Sequence, residues 1–297
     1  KDNTVYSGVS FGYEESTAGE IVFNTGMVGY PETLTDPSYY GQILVITFPI
    51  VGNYGVPGKD MKDNILQFFE SRKIHLKGLI ISDYCSTPEH YQSISTLGDW
   101  LKQEKIPALY MIDTRKLTKK IREDGSMLCK IEFPGRPVDF YDPNKENLSK
   151  YVAINEIHSY YGNNYHEFGS KSIYLIDCGN KNSILKKLLN FNVKVTVVPW
   201  NYNFLKDIHK FDGILISNGP GNPVFMTETI KYVKEFIESD ISIPIFGICL
   251  GHQILALAAG ANIYKMKYGN RSMNQPVIDL RTQRCYITPQ NHGYAVD

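Results

Sequence analysis

The chain has 297 residues, with 31 basic and 31 acidic side chains that leave no formal net charge. That length allows two domains and a sizeable core, and the balanced charge excludes a long-range field drawing the chain to nucleic acid or to an anionic membrane. No apolar run is long enough for a transmembrane helix and the opening Lys1-Asp2-Asn3-Thr4 is not a signal peptide, so the expected location is cytoplasmic. The five cysteines (Cys85, Cys129, Cys178, Cys249, Cys285) are odd in number and include no C-x-x-C pair. They argue for a reducing compartment and against a disulfide framework or a zinc site. Without an initiator Met, the sequence is expected to begin inside a longer reading frame or to be a processed form.

The first half reads as mixed strand and turn. Gly19 to Gly26 has the pattern of a strand running into turn residues, Pro31 and Asp36-Pro37-Ser38 mark loops, and Gln42 to Phe48 is bulky enough for a buried strand. Gly52-Asn53-Tyr54-Gly55 is a turn cluster. Gly78 to Ser82 follows as a strand, Tyr91 to Lys105 as a helix with Ile94, Leu97, Trp100 and Leu101 on its apolar side, and Pro107 to Ile112 as a strand. Asp113 opens a basic helix whose Lys116, Lys119, Lys120 and Arg122 read as a solvated face. From Pro134 to Ser170 the Pro, Gly and Asn content is that of a linker, with one short element near Leu148 to Ile157. These features predict a mixed β/α domain over residues 1–133, a linker over 134–170 and a second domain over 171–297.

From Lys171 the rhythm is regular. Strands are predicted at Ser172–Asp177, Val193–Val198 and Asp212–Ser217, and an apolar run from Ile241 to Phe246 is a further buried strand. Helices are predicted at Asn182–Asn190, Tyr202–His209 and Thr227–Ser239, and a helical pattern begins again at Gln253. Strand and helix alternating over short links predict a parallel sheet wrapped on both faces, with its site beyond the carboxyl ends of the strands. Two loops meet there. Phe246-Gly247-Ile248-Cys249-Leu250-Gly251-His252-Gln253 puts Cys249 on the turn from strand to helix in a G-x-C-x-G frame, the cysteine counterpart of a nucleophile elbow. The first N–H groups of the helix would favour the thiolate there. Ser217-Asn218-Gly219-Pro220-Gly221-Asn222-Pro223 can turn backbone N–H groups outward as an anion nest, which is what an oxyanion hole needs.

The strand, the SNGPGNP loop and the stretch FGICLGHQILALAAGA resemble the class I (triad) glutamine amidotransferases, and most closely the glutaminase part of carbamoyl phosphate synthase. Residues 19–39 (GEIVFNTGMVGYPETLTDPSY), 52–55 (GNYG), 112–125 (IDTRKLTKKIREDG), 267–277 (KYGNRSMNQPV) and 288–297 (TPQNHGYAVD) resemble that subfamily in particular. The resemblance implies an N-terminal mixed β/α domain that docks a partner, followed by a flavodoxin-like parallel sheet with helices on both faces. It implies that Cys249 attacks the side-chain amide of glutamine and forms a γ-glutamyl thioester. Gly221 and Leu250 match the backbone donors for the oxyanion, and Gly219 a substrate contact. Gln253, Asn291, Gly293 and Tyr294 match positions that hold the amino and carboxylate ends of glutamine, as does Ser38 from the first domain. The ammonia would pass to a synthetase, as a large subunit or a fused domain, that carries ATP and Mg and uses bicarbonate. No cofactor is expected in this chain, and neither nucleic acid nor membrane among its partners.

In this family the base is a His held by a Glu two residues on, in a motif after the segment N-H-G-(F/Y)-A-V-D. The sequence stops at Asp297 within that segment, so these 297 residues alone are expected to hydrolyse glutamine negligibly, general acid–base work contributing about 10²–10⁴-fold. His292 matches a position beside the substrate backbone and His252 lies on the elbow helix, while His75, His90, His158, His166 and His209 show no ligand spacing. Two other readings stand beside the glutaminase. One is a freestanding thiol hydrolase of γ-glutamyl bonds, against which the N-terminal block argues. The other is a docking or regulatory module that lacks its triad.

Overall fold

The computed structural model describes residues 3–163, 165, 166 and 169–297. Lys1 and Asp2, with Asn164, Glu167 and Phe168 of the stretch read as a linker, lie outside the described residues. The chain divides into two units, one of Lys1–Asp60, Arg72–Pro143 and Met266–Gly293, the other of Met61–Ser71, Asn144–Lys265 and Tyr294–Asp297. Residues 134–143 thus fall in the first unit and 144–170 in the second.

The first unit is built on a six-stranded sheet of β1 (Val9–Ser10), β2 (Thr17–Asn24), β3 (Gln42–Ile46), β4 (Gly78–Ile80), β5 (Ala108–Tyr110) and β6 (Met127–Ile131), in the order β1-β5-β4-β3-β2-β6. The four central strands are parallel, while β1 and β6 run antiparallel at the edges. Alternate side chains go to opposite faces, so Ile21, Phe23, Ile43, Val45 and Ile80 share one core and Val22, Leu44 and Leu79 are buried behind it. Burial on both sides is why these strands read as continuous apolar runs.

Helix α1 (Leu97–Gln103) is shorter than the sequence pattern suggested, and Ile94 is exposed rather than packed. Thr96 is the reason, since its Oγ1 accepts the Asp99 N–H at 3.1 Å and starts the helix there. Ser93–Ser95 pairs as a short strand with Val56–Pro57. Helix α2 (Thr114–Asp124) starts at Asp113, whose carboxylate accepts the Lys116 N–H at 2.8 Å, and lays Leu117 and Ile121 on the β2–β4 core. Lys116, Lys119 and Arg122 are exposed, whereas Lys120 pairs with Asp124 at 2.7 Å.

His75 lies buried in this unit, and burial, reinforced by the charge of Lys73 and opposed by Asp36, lowers its pKa from 6.5 to about 4. The unfolded chain therefore binds this proton more readily than the folded one. The stabilising contribution is complete above pH 6.5 and is lost as pH falls toward 4, by about 3 kcal/mol. Urea unfolding at pH 7 and pH 4.5 should show that loss, and His75→Gln should flatten it. An unchanged slope in the variant would assign the loss to other groups.

The second unit contains a five-stranded sheet of β7 (His158–Tyr161), β8 (Lys171–Asp177), β9 (Val193–Pro199), β10 (Gly213–Ile216) and β11 (Ile245–Gly247), in the order β7-β9-β8-β10-β11. All but β7 are parallel, and their order is the doubly wound 2-1-3-4 of a flavodoxin-like sheet. Leu175, Val195, Val197 and Leu215 face α3 (Asn182–Leu189) through Leu185 and Leu189. The alternate residues Tyr174, Ile176, Ile214 and Ile216 face α4 (Thr227–Ile237) and α5 (Leu250–Ala258) through Val233, Phe236, Leu250 and Ile254.

Three elements differ from the sequence pattern. β11 starts after Pro244, which has no N–H for the ladder and contributes only its carbonyl, to Ile214 N at 3.0 Å. Helix α5 begins at Leu250, three residues before the apolar pattern at Gln253. Phe204–Lys210 is 3₁₀ with a kink at Asp207 rather than α-helix. Beyond α5, β12 (Ile263–Asp279) and β13 (Arg284–Val296) pair as a long hairpin. Among the described residues no helix is long and apolar enough to cross a membrane.

Candidate active site

In a 2-1-3-4 sheet the chain leaves β8 on one side and returns on the other, so a crevice opens past the carboxyl ends of β8 and β10. Three turns leave the sheet at that edge: Asp177-Cys178-Gly179 after β8, residues 217–223 after β10, and Gly247 to Leu250 after β11. Cys249 is the N-cap of α5, half-buried, with φ 53° and ψ −106°. A side chain held at positive φ is strained, and such strain persists where the surrounding structure over-determines it.

The two glycines of the frame are what over-determine it. A Cβ on Gly247 would stand 2.4 Å from the carbonyl of Gly251, and one on Gly251 would stand 2.2 Å from the Ile216 carbonyl oxygen. The backbone approaches itself so closely that only glycine fits at either position. Ile248 N donates to Ile216 O at 3.0 Å and Gly251 N to Ser217 O at 3.1 Å, which tie both sides of the elbow to the end of β10.

The N–H groups of Gly219, Gly221 and Leu250 meet no acceptor among the described residues, although Gly219 and Leu250 are buried. Buried amides without a partner are rare in folded proteins. Two such amides, Gly219 and Leu250, with the half-buried Gly221 on the same loop as Gly219, are donors available to an anion. Gln253 is buried one turn into α5, and its Nε2 donates to Tyr294 O at 2.7 Å. The Tyr294 hydroxyl donates in turn to Asn144 Oδ1 at 3.0 Å.

Cys249, Gly219, Gly221, Leu250, Gln253 and Tyr294 lie in the second unit, and Ser38, Asn291 and Gly293 in the first. Within the first unit one buried carboxylate joins two of these. Asp36 accepts the Ser38 N–H on Oδ1 at 2.9 Å and the Asn291 side-chain amide on Oδ2 at 3.1 Å. Gly293 leaves room for Arg271, whose Nη2 lies 3.0 Å from where a Cβ would stand. The ring of His292 is engaged by Gln290 Oε1 at 2.9 Å, and His252 is exposed on α5.

Sequence reasoning missed Asp36 and Leu148. Asp36 had a local signal, an Asp before a Pro at the first position of the 3₁₀ turn Pro37–Tyr39. Leu148 had none: it is buried far along the chain, with its Cγ 3.1 Å from where a Gly221 Cβ would stand.

Residues 1–131 match the family model described as carbamoyl-phosphate synthase small chain, CPSase domain. Residues 174–297 match glutamine amidotransferase class-I. The multifunctional protein CAD of Squalus acanthias is 50% identical over 301 residues, covering 100% of this chain and 13% of that protein. The mitochondrial carbamoyl-phosphate synthase (ammonia) of Homo sapiens is 46% identical over 299 residues, covering 100% of this chain and 20% of that protein. The multifunctional protein ura1 of Schizosaccharomyces pombe is 46% identical over 326 residues, covering 100% and 14%. The chain thus spans a fifth or less of the length of these relatives.

Proposed function

Since the chain belongs to the carbamoyl-phosphate synthase small-chain family and carries its class I glutamine amidotransferase domain, we propose that it hydrolyses glutamine and supplies ammonia for carbamoyl phosphate synthesis. The observation that carries this reading is the strained cysteine of the elbow with three buried or half-buried N–H donors around it that lack acceptors.

The thiolate of Cys249 attacks the side-chain amide carbon of glutamine, and the carbonyl oxygen takes up the negative charge. The N–H groups of Gly221 and Leu250 hold that oxygen, with Gly219 against the substrate. Collapse breaks the C–N bond, the nitrogen takes up the proton that the Cys249 thiol released and leaves as ammonia, and a γ-glutamyl thioester remains. Water then cleaves the thioester to glutamate and returns the thiol. Gln253 and Tyr294 orient the α-amino and α-carboxylate groups. The ammonia goes to a synthetase, fused or separate, that holds ATP and Mg and consumes bicarbonate, and the N-terminal domain docks that partner. Acid quenching during turnover of radiolabelled glutamine by the complete enzyme tests the chemistry. Label is expected as a thioester on the peptide containing Cys249, and its absence there while glutamate is formed would overturn the reading.

A second expectation concerns Asp36. Asp36→Ala removes an acceptor shared by the Ser38 N–H and the Asn291 amide within the first unit, which should lower that unit's stability by about 1–3 kcal/mol. Urea unfolding of the variant decides it, and an unchanged midpoint would show that neither bond contributes.

A further inference from the structure

Ser217 is the residue at which the turns of the second unit converge. It is fully buried at the end of β10, and its N–H donates to Ile176 O at 3.0 Å. Its hydroxyl accepts the Cys178 N–H at 2.9 Å and donates to the Asn218 carbonyl at 2.8 Å. Its own carbonyl accepts the Gly251 N–H at 3.1 Å, in the first turn of the elbow helix. One residue therefore ties the end of β8, the 217–223 loop and the start of α5.

The bond to Asn218 O decides which way the next peptide faces. In a trans peptide the C=O and the following N–H point in opposite directions. Holding the Asn218 carbonyl back onto Ser217 Oγ therefore turns the Gly219 N–H away from the protein's own acceptors, and that N–H has none among the described residues. Unheld, a Gly-rich loop has many conformers of similar energy, since glycine restricts the chain least. The side chain of Asn218 adds a second tether, its Oδ1 accepting the Lys181 N–H at 3.2 Å.

We propose that Ser217 is a positioning residue for acyl transfer: its hydroxyl fixes the first peptide of the 217–221 loop, and through it the path of the loop to the Gly221 oxyanion donor, while its carbonyl registers the elbow helix against that loop. The proposal rests on the glutaminase reading given above. It assigns separate work to the two groups. The carbonyl is present in any substitution, so the elbow is kept, whereas Ser217→Ala loses the hydroxyl, which releases the loop and takes away the acceptor of the Cys178 N–H.

The test compares two reactions of the same cysteine in the complete enzyme. Glutamine turnover passes through an oxyanion, whereas alkylation of Cys249 by iodoacetamide is a displacement at carbon that forms none. Ser217→Ala should lower kcat for glutamine by roughly 10- to 100-fold, up to the effect of losing one oxyanion donor. Alkylation of the Cys249 peptide, followed by mass, should stay within about twofold of wild type, as expected when thiol reactivity is left alone. Ser217→Thr keeps the hydroxyl and should recover most of kcat. If alanine prevents folding, Ser217→Cys, similar in size with a weaker donor, is read with the same pair of assays. Parallel loss of turnover and alkylation would make Ser217 a purely structural residue, and unchanged turnover would remove it from catalysis. Either result leaves the glutaminase reading intact if Cys249→Ser abolishes hydrolysis, whereas hydrolysis that survives Cys249→Ser overturns both.

Discussion

On the glutaminase reading, Cys249→Ser in the complete enzyme is expected to reduce glutamine-dependent carbamoyl phosphate synthesis by roughly 10⁴-fold or more, the order seen when a covalent nucleophile is removed. Synthesis from added ammonia should continue at its wild-type rate. The size of the loss follows from the chemistry of the atom replaced. A serine hydroxyl in the same place ionises far less readily than a thiol and is the poorer nucleophile near neutral pH. The elbow itself should survive, because it is fixed by Gly247, Gly251 and their approach to Ile216 and not by the sulfur. The two assays share every step after ammonia release, so their ratio isolates the amidotransferase chemistry. Loss of both activities together would mean that Cys249 supports the fold, and the nucleophile would have to be sought elsewhere.

Gly251→Ala should be damaging by a different route. The added methyl would meet the Ile216 carbonyl oxygen at 2.2 Å, and that oxygen belongs to a strand in the middle of the sheet and accepts the Ile248 N–H. Neither the strand nor the first turn of α5 can move alone, so the clash separates them. Overpacking of this kind costs about 3 kcal/mol, or roughly 6–12 °C in Tm for a unit of this size. The same separation pulls Gly251 N from Ser217 O and shifts Cys249 against the oxyanion loop, where a displacement of about 1 Å costs roughly 100-fold in rate. Gly260→Ala is the control. Gly260 has φ +88° but nothing within 4 Å of an added Cβ. Only the backbone strain of about 1 kcal/mol should appear there, with activity near wild type. Calorimetry and glutaminase kinetics on the two variants of the complete enzyme separate steric conflict from left-handed strain. Equal behaviour of the two would show that the close approach at Gly251 relaxes at little cost.

The regular half of the chain was legible because local pattern and tertiary structure agree there. Ser172–Asp177, Val193–Val198 and Asp212–Ser217 carry β-branched and apolar residues on both faces, and the structure buries both faces under α3 on one side and α4 and α5 on the other. The elbow was legible for a related reason. Two glycines around Cys249, between an apolar strand and an apolar helix, have few uses other than a tight strand-to-helix turn, and φ 53° at Cys249 is that turn. The start of α1 was misplaced although its signal was local. Thr96 with Asp99 three residues on is a cap, and it outweighs the apolar spacing of Ile94.

What sequence alone determined is therefore the set of parts: a doubly wound sheet, a cysteine at its carboxyl edge and a glycine-bearing loop beside it. Each of these depends on residues within a few positions of one another, where periodicity and turn chemistry act. The tertiary structure alone decided how the parts are held. Asp36 meets Asn291 across most of the chain, Ser217 meets Cys178 and Gly251, and residues 61–71 join the second unit, where Asn182 N donates to Glu70 O at 2.8 Å. Those bonds join polar groups that carry no periodic signature and that take partners only once the sheets have assembled. A hydrogen bond depends on distance and angle in space, and neither is written in the spacing of residues along the chain.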